Sequence, residues 1–96
     1  MPILQIEHPV RDFESWREAF DADPVGRKRG GVRRYRILRP VDDPLYVVVE
    51  LELDTLEAAD SFLASLRELW RGAEARGLMA SPQARIVDEV ETVELG

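Results

Sequence analysis

The chain has 96 residues, a net charge of −6, no cysteine, and 45% hydrophobic against 33% charged residues. That balance is globular rather than disordered, and the length leaves room for one domain, residues 1–96. Without cysteine there are no disulfides, zinc ribbons, thiol nucleophiles or iron–sulfur clusters, and the surplus of negative charge argues against a nucleic-acid partner.

Ile3 to His8 is a short alternating apolar run and reads as a strand. Asp12 then offers a helix N-cap. Phe13, Trp16 and Phe20 follow at three- and four-residue steps, which is one face of a helix running to Ala22. Pro24 and Gly26 end it. Gly26-Arg27-Lys28-Arg29-Gly30-Gly31 is basic and glycine-containing, but it precedes a strand, whereas phosphate loops precede a helix; it reads as a mobile loop over a pocket mouth. Gly31 to Leu38 and Leu45 to Leu53 are two strands joined by the turn Arg39-Pro40-Val41-Asp42-Asp43-Pro44, and Tyr46-Val47-Val48-Val49 places the second of them mid-sheet.

Asp54-Thr55-Leu56-Glu57 has capping-box spacing. Behind it Leu56, Ala59, Phe62, Leu63, Leu66, Leu69 and Trp70 keep a helical period to about Arg76, with Gly77 as C-cap. Ala84 to Leu95 is strand-like. The order β-α-β-β-α-β is the ferredoxin-like α+β pattern, a four-stranded antiparallel sheet with two helices on one face.

Alternation assigns the two faces of that sheet. Ile6, Ile37, Val49 and Leu51 should lie under the helices, with Phe13, Trp16, Phe20, Phe62 and Leu66 completing the core. Gln5, Glu7, Glu50, Glu52, Arg34, Arg36 and Val48 fall on the other face, which is either solvated or covered by a partner sheet.

Charge is segregated along the chain. Residues 24 to 41 hold seven basic side chains and no acidic one, and residues 86 to 96 hold four acidic side chains and no basic one. In this topology the second and fourth strands are the sheet edges. A basic edge and an acidic edge on one molecule are self-complementary, so Arg34 and Arg36 of one copy could meet Glu89 and Glu91 of another in a two-fold homodimer.

His8-x-Val10-x-Asp12-Phe13-x-x-Trp16-x-x-x-Phe20-Asp21, then Asp43-Pro44 before Val47-Val48-Val49, then an alanine-rich helix with Phe62-Leu63, resemble the dimeric α+β barrel superfamily, which includes the antibiotic-biosynthesis-monooxygenase-like proteins. The resemblance covers nearly the whole chain. It implies a homodimer whose sheets form a barrel, with a ligand pocket between sheet and helices in each subunit. Members include cofactor-independent oxygenases, haem-degrading enzymes, isomerases, polyketide cyclases and proteins without known activity, so membership does not by itself assign chemistry. The helix histidine of the haem-degrading members has no counterpart here, since the lone His8 lies on a strand.

His8 ends the first strand on the parity that faces Trp16 and is the candidate acid or base; the competing reading is a structural histidine holding the turn at Pro9. Trp16, Phe20, Tyr35, Phe62 and Trp70 could line a pocket for a planar ligand, although aromatics at helical spacing also serve as plain core. Tyr35 and Tyr46 could each present a hydroxyl to a pocket or an interface. No nucleophile motif or paired-carboxylate spacing stands out. With one histidine and no loop of alternating oxygen ligands, neither a metal nor another cofactor is expected.

Two readings follow. One is a cofactor-independent, monooxygenase- or cyclase-like enzyme acting on a small aromatic or polyketide-like compound held between Trp16 and the sheet. The other is a non-catalytic homodimeric module that binds a small ligand or only assembles. No run approaches the ~20 apolar residues of a membrane span. Residues 1–5 lack the basic-then-apolar order of a signal peptide, so a cytoplasmic protein without a membrane partner is the expectation.

Overall fold

The alternation of apolar and polar residues along the strands is realised directly. In β1 (Pro2–Pro9) Leu4, Ile6 and His8 are buried in turn, and in β3 (Tyr46–Leu53) Val47, Val49, Leu51 and Leu53 are buried in turn. β2 (Val32–Leu38) and β4 (Gln83–Asp88) complete one sheet of order β2-β3-β1-β4, in which every neighbouring pair is antiparallel. The computed structural model describes residues 1–75 and 82–96, with residues 74 and 75 described in their backbone alone; the Gly77 cap lies outside the described residues. The long apolar pair β1 and β3 forms the middle, as their β-branched and leucine content suits a position paired on both sides.

Two helices cover the apolar face. α1 (Phe13–Asp21) starts where the Asp12 carboxylate accepts the backbone N–H of Ser15 at 3.1 Å and its hydroxyl at 2.6 Å. The Ser15 hydroxyl holds the Asp12 carboxyl below the usual carboxylate range. α2 (Leu56–Ala75) is capped by Thr55, whose Oγ1 accepts the N–H of Ala58 at 3.0 Å. The cap is therefore one residue later than the Asp54 spacing suggests, because Asp54 is taken by the Arg33 guanidinium across the chain.

The helices differ in depth. α2 buries Ala59, Phe62, Leu63 and Trp70 against Leu4, Ile6, Val32, Val47, Val49, Leu51 and Leu53, whereas α1 has no fully buried residue and lays Phe13, Trp16 and Phe20 half-buried along the margin of that core. Ile37 and Leu66 are likewise half-buried.

Two expectations are corrected. The last strand stops at Asp88 instead of running to Leu95, and residues 89–96 carry no strand. Val90 and Leu95 are over nine-tenths exposed there, since no described part of the chain pairs with or covers that segment. The basic loop is a built turn rather than a loose one. Gly26 N–H donates to Asp23 O (3.1 Å), Gly30 N–H to Gly26 O (2.9 Å), Gly31 N–H to Lys28 O (3.2 Å) and Val32 N–H to Arg27 O (3.0 Å). Gly31, at φ +96°, supplies the left-handed step that turns the chain into β2.

Candidate functional site

His8 is the last buried position of β1 and is 3% exposed. The strand is released immediately after it, and Val10 N–H donating to Leu45 O at 2.8 Å fixes the direction of exit toward α1. His8 Nδ1 lies 2.9 Å from Pro9 O. A carbonyl oxygen only accepts, so Nδ1 carries the hydrogen and Nε2 keeps its lone pair. Burial holds the imidazole below its ordinary value of 6.5, partly offset by the Pro9 carbonyl, so at neutral pH the ring is uncharged.

The ring faces the edge of Trp16, with centroids 6.2 Å apart at 61°. From there an aromatic row runs along α1. Trp16 lies 5.7 Å from Phe13 on one side and stacks 5.1 Å from Phe20 on the other at 27°, and Phe20 meets Tyr35 of β2 edge-on at 5.2 Å. The three- and four-residue spacing in α1 produces this row, because those positions share one helix face.

A guanidinium closes each end. Arg39 sits 4.4 Å over the Phe13 ring. Arg27 lies 4.0 Å from the Phe20 centroid and 4.9 Å from that of Tyr35, and its Nη1 donates to Phe20 O at 2.8 Å. The Arg27 backbone N–H donates to Asp23 Oδ1 at 2.8 Å, with Asp23 itself at φ +53°. Neither arginine emerges from sequence reasoning. Arg27 is seven residues beyond Phe20 behind a chain reversal, and only the folded turn brings the two together.

The sequence-predicted aromatics thus divide. His8, Trp16, Phe20 and Tyr35 form one continuous row. Phe62 is buried beneath the basic turn, and Trp70 is buried near the end of α2, where it also borders a surface cavity of about 340 Å³ with Arg67, Arg71, Pro82 and Ala84. A second cavity of about 420 Å³ lies beside Tyr35, lined by Asp23, Arg27, Lys28, Val32, Arg33 and Arg34. Neither cavity is lined by His8 or Trp16.

The opposite sheet face is an ordered polar lattice. Arg34 pairs with Glu52 at 2.6 Å, and Arg36 with Glu50 at 2.5 Å. Gln5 Nε2 donates to Glu50 Oε2 at 2.9 Å and Arg85 Nε donates to Gln5 Oε1 at 3.0 Å. The hydrogen bond from Arg36 holds the Glu50 carboxyl below its usual range. Tyr46 donates to Glu7 at 2.8 Å on this same face, which raises its own pKa, so its hydroxyl points away from His8. Glu89 and Glu91 lie beyond β4, in the strandless tail. Among the described residues no group of three or more His, Asp or Glu is placed to hold a metal ion, and no helix is long and apolar enough to cross a membrane.

This architecture recurs in solved structures. A protein from Nitrosomonas europaea of the antibiotic-biosynthesis-monooxygenase kind is 24% identical with a TM-score of 0.69, over 95% of this chain and 100% of that one. The fold is that of the antibiotic-biosynthesis-monooxygenase-like proteins. A second such protein, from Deinococcus radiodurans, has a TM-score of 0.73 at 13% identity over 100% of this chain and 99% of that one. A mutant form of SnoaB, a cofactor-independent oxygenase from Streptomyces nogalater, has a TM-score of 0.71 at 16% identity over 96% of this chain and 94% of that one. No protein-family model and no curated protein matches the sequence. At these identities the monooxygenase-like fold is shared across the whole chain, and the side chains of the site have to be read on their own.

Proposed function

We propose that the chain is a cofactor-independent, monooxygenase- or cyclase-like enzyme acting on a small aromatic or polyketide-like compound, that it works as a homodimer, and that His8 is its base. The observation that carries this reading is the state of His8: buried, uncharged at neutral pH, with Nδ1 committed to Pro9 O and Nε2 left with its lone pair beside Trp16. A neutral imidazole of lowered basicity suits removal of a proton from a carbon or phenol that is itself acidic.

An aromatic substrate would lie against the row of Trp16, Phe20 and Tyr35, which supplies flat apolar faces. Nε2 takes one proton, and the resulting carbanion reduces dioxygen. For an activated methylene two C–H bonds break, one oxygen atom stays as the new carbonyl and the other leaves as water. Dioxygen is the only oxidant needed. The similarity in fold to a cofactor-independent oxygenase supports this class of chemistry. The polar lattice on the open sheet face and the segregated charges support pairing of two copies into a barrel.

The second reading, a non-catalytic homodimeric module for a small ligand or for assembly, is favoured by one observation: His8 is almost fully enclosed and neither cavity reaches it. The two separate on one experiment. Phenols and aromatic 1,3-diketones are titrated against the tryptophan fluorescence, and dioxygen uptake is followed for those that bind, in the native chain and in His8→Gln. The enzyme reading expects uptake that falls at least about a hundredfold in His8→Gln, the usual scale of general-base loss, with binding retained. Binding without uptake in either chain leaves the module.

A further inference from the structure

The charges around the cavity beside Tyr35 do not cancel. Arg27, Lys28, Arg33 and Arg34 line it against one carboxylate, that of Asp23. Three of these cations are matched: Arg27 with Asp23 at 3.4 Å, Arg33 with Asp54, and Arg34 with Glu52 at 2.6 Å. Lys28 is exposed and has no ion-pair partner among the described residues. The cavity therefore holds one positive charge in surplus, on a chain whose net charge is −6. A local excess of that kind gathers anions at one place.

Arg27 also keeps donors in reserve. Its Nη1 donates to Phe20 O and its Nε faces Asp23 Oδ1, which leaves Nη2 without a partner among the described residues. The walls are preformed. Asp23, at φ +53°, accepts the Arg27 N–H at 2.8 Å, and Lys28 O accepts the Gly31 N–H at 3.2 Å within the hydrogen-bonded basic turn. At about 420 Å³ the cavity falls in the usual range of small-molecule sites, roughly 300–1,000 Å³. Arg27 and Tyr35 belong both to this cavity and to the aromatic row, since the guanidinium lies over Phe20 and Tyr35 and the two rings meet edge-on. The row that starts at His8 thus ends at positive charge.

Resting on the reading of an aromatic substrate, we propose that this cavity is a carboxylate subsite: the compound that lies along Trp16 and Phe20 carries a carboxylate, held by Lys28 Nζ and Arg27 Nη2 beside Tyr35. One surplus cation suits one negative charge. A phosphate monoester carries about −1.5 to −2 at pH 7 and would be left part-neutralised, whereas a carboxylate carries one. A guanidinium edge and an ammonium together also match the two oxygens of a carboxylate.

The row fixes where that charge lies on the ligand. Ring-to-ring steps of 6.2, 5.1 and 5.2 Å separate His8 from Tyr35. The carboxylate and the carbon or phenol that meets His8 Nε2 therefore stand at opposite ends of the molecule. A single-ring acid spans too little of the row to reach both, and a compound of several fused rings spans enough.

Calorimetric titration with two matched probes reads the charge alone: 2-naphthoate and 2-(hydroxymethyl)naphthalene share their rings and differ in the carboxylate. At low salt the native chain should bind the carboxylate about five- to tenfold more tightly, the scale of one charge-assisted contact at a partly exposed site. Lys28→Gln should remove most of that preference, Lys28→Glu should reverse it and Lys28→Arg should restore it, while the alcohol binds all four chains alike. Added salt should shrink the native preference without moving the alcohol. Equal affinity of the native chain for the two probes, or a preference that survives Lys28→Glu, overturns the subsite. A preference that disappears in His8→Gln overturns it too, because the carboxylate would then be seated at the histidine. If neither probe binds, the subsite and the aromatic-ligand reading fall together. A charge preference that tracks Lys28, with no dioxygen uptake by any aromatic ligand, upholds the subsite and removes the enzyme reading alone.

Discussion

Replacing Gly30 with Ala tests whether the basic turn is the fitted element described above. A Cβ at Gly30 would stand 2.6 Å from Phe62 Cδ1, 3.0 Å from Cε1 and 3.3 Å from Gly26 O. Phe62 is 4% exposed and lodged in the core, so its ring has no free side to swing toward. Overpacking of this kind costs typically about 1–3 kcal/mol. Against it stands the reduced entropy of the unfolded chain when Gly becomes Ala, about 0.4–1 kcal/mol, available here because Gly30 lies outside the left-handed region. The net expectation is a loss of about 1–2 kcal/mol, read as a drop of roughly 4–15 °C in Tm. Gly72→Ala is the matched control: nothing lies within 4 Å of its Cβ position, and it sits inside α2. There the same change should stabilise by about 0.5–1 kcal/mol. Urea unfolding of the two variants should therefore move in opposite directions. An unchanged or raised midpoint for Gly30→Ala would refute the claim that Phe62 is clamped under the turn.

Thr55→Ala removes the acceptor for the Ala58 N–H and should cost about 1 kcal/mol by thermal unfolding; Asp54→Ala should not reproduce it through the helix, since Asp54 serves Arg33. Leu51→Ala, at a fully buried position of β3, should cost about 2–5 kcal/mol by urea unfolding, a large part of the stability of a domain this size. His8 makes stability depend on pH in a definite sense. Its folded pKa lies below 6.5, so the unfolded chain binds more protons as pH falls through that value, and stability present above about pH 6.5 is lost on acidification, by ~1.4 kcal/mol per unit of depression. His8→Gln should flatten that limb, and an equal slope in both chains would mean that another group carries it.

The order of elements and the buried face of each strand were legible because alternation has a period of two and admits one register when one face is apolar: Leu4, Ile6 and His8 fall together, as do Val47 to Leu53. The end of β4 was not legible. Val90 and Val93 have strand-like chemistry, but whether they pair depends on a neighbouring strand that no described part of this chain offers them. The Thr55 cap was displaced by one residue because Asp54 and Thr55 are both good caps and a distant Arg33 decided between them. In the site, spacing along α1 located Trp16 beside His8 and Phe20 next along the same row. Arg27 stayed hidden, since its place depends on the reversal at Asp23 and Gly26 and on a ring seven residues back. Phe62 and Trp70 share the aromatic signal of Trp16 and Phe20 and differ from them in lying on α2, the more deeply seated helix.

The unequal seating of the two helices bears directly on how His8 could be reached. α2 is 20 residues long and pins four fully buried side chains into the sheet, whereas α1 is nine residues long and buries none completely. A helix under about 12 residues has little stability of its own, so α1 depends on its half-buried aromatic row and on the two arginines stacked at its ends. It is therefore the element that opens at least cost, and it is also the one that covers the histidine. Native-state hydrogen exchange should show α1 amides opening well below the global free energy of unfolding, while those of β3 and the buried stretch of α2 open only with it. Arg27→Leu, which removes the guanidinium over Phe20 and Tyr35, should lower protection in α1 further and leave β3 unchanged. Equal protection in α1 and α2 would mean that the enclosure of His8 is as firm as the core, and would leave the histidine a structural part of the turn at Pro9.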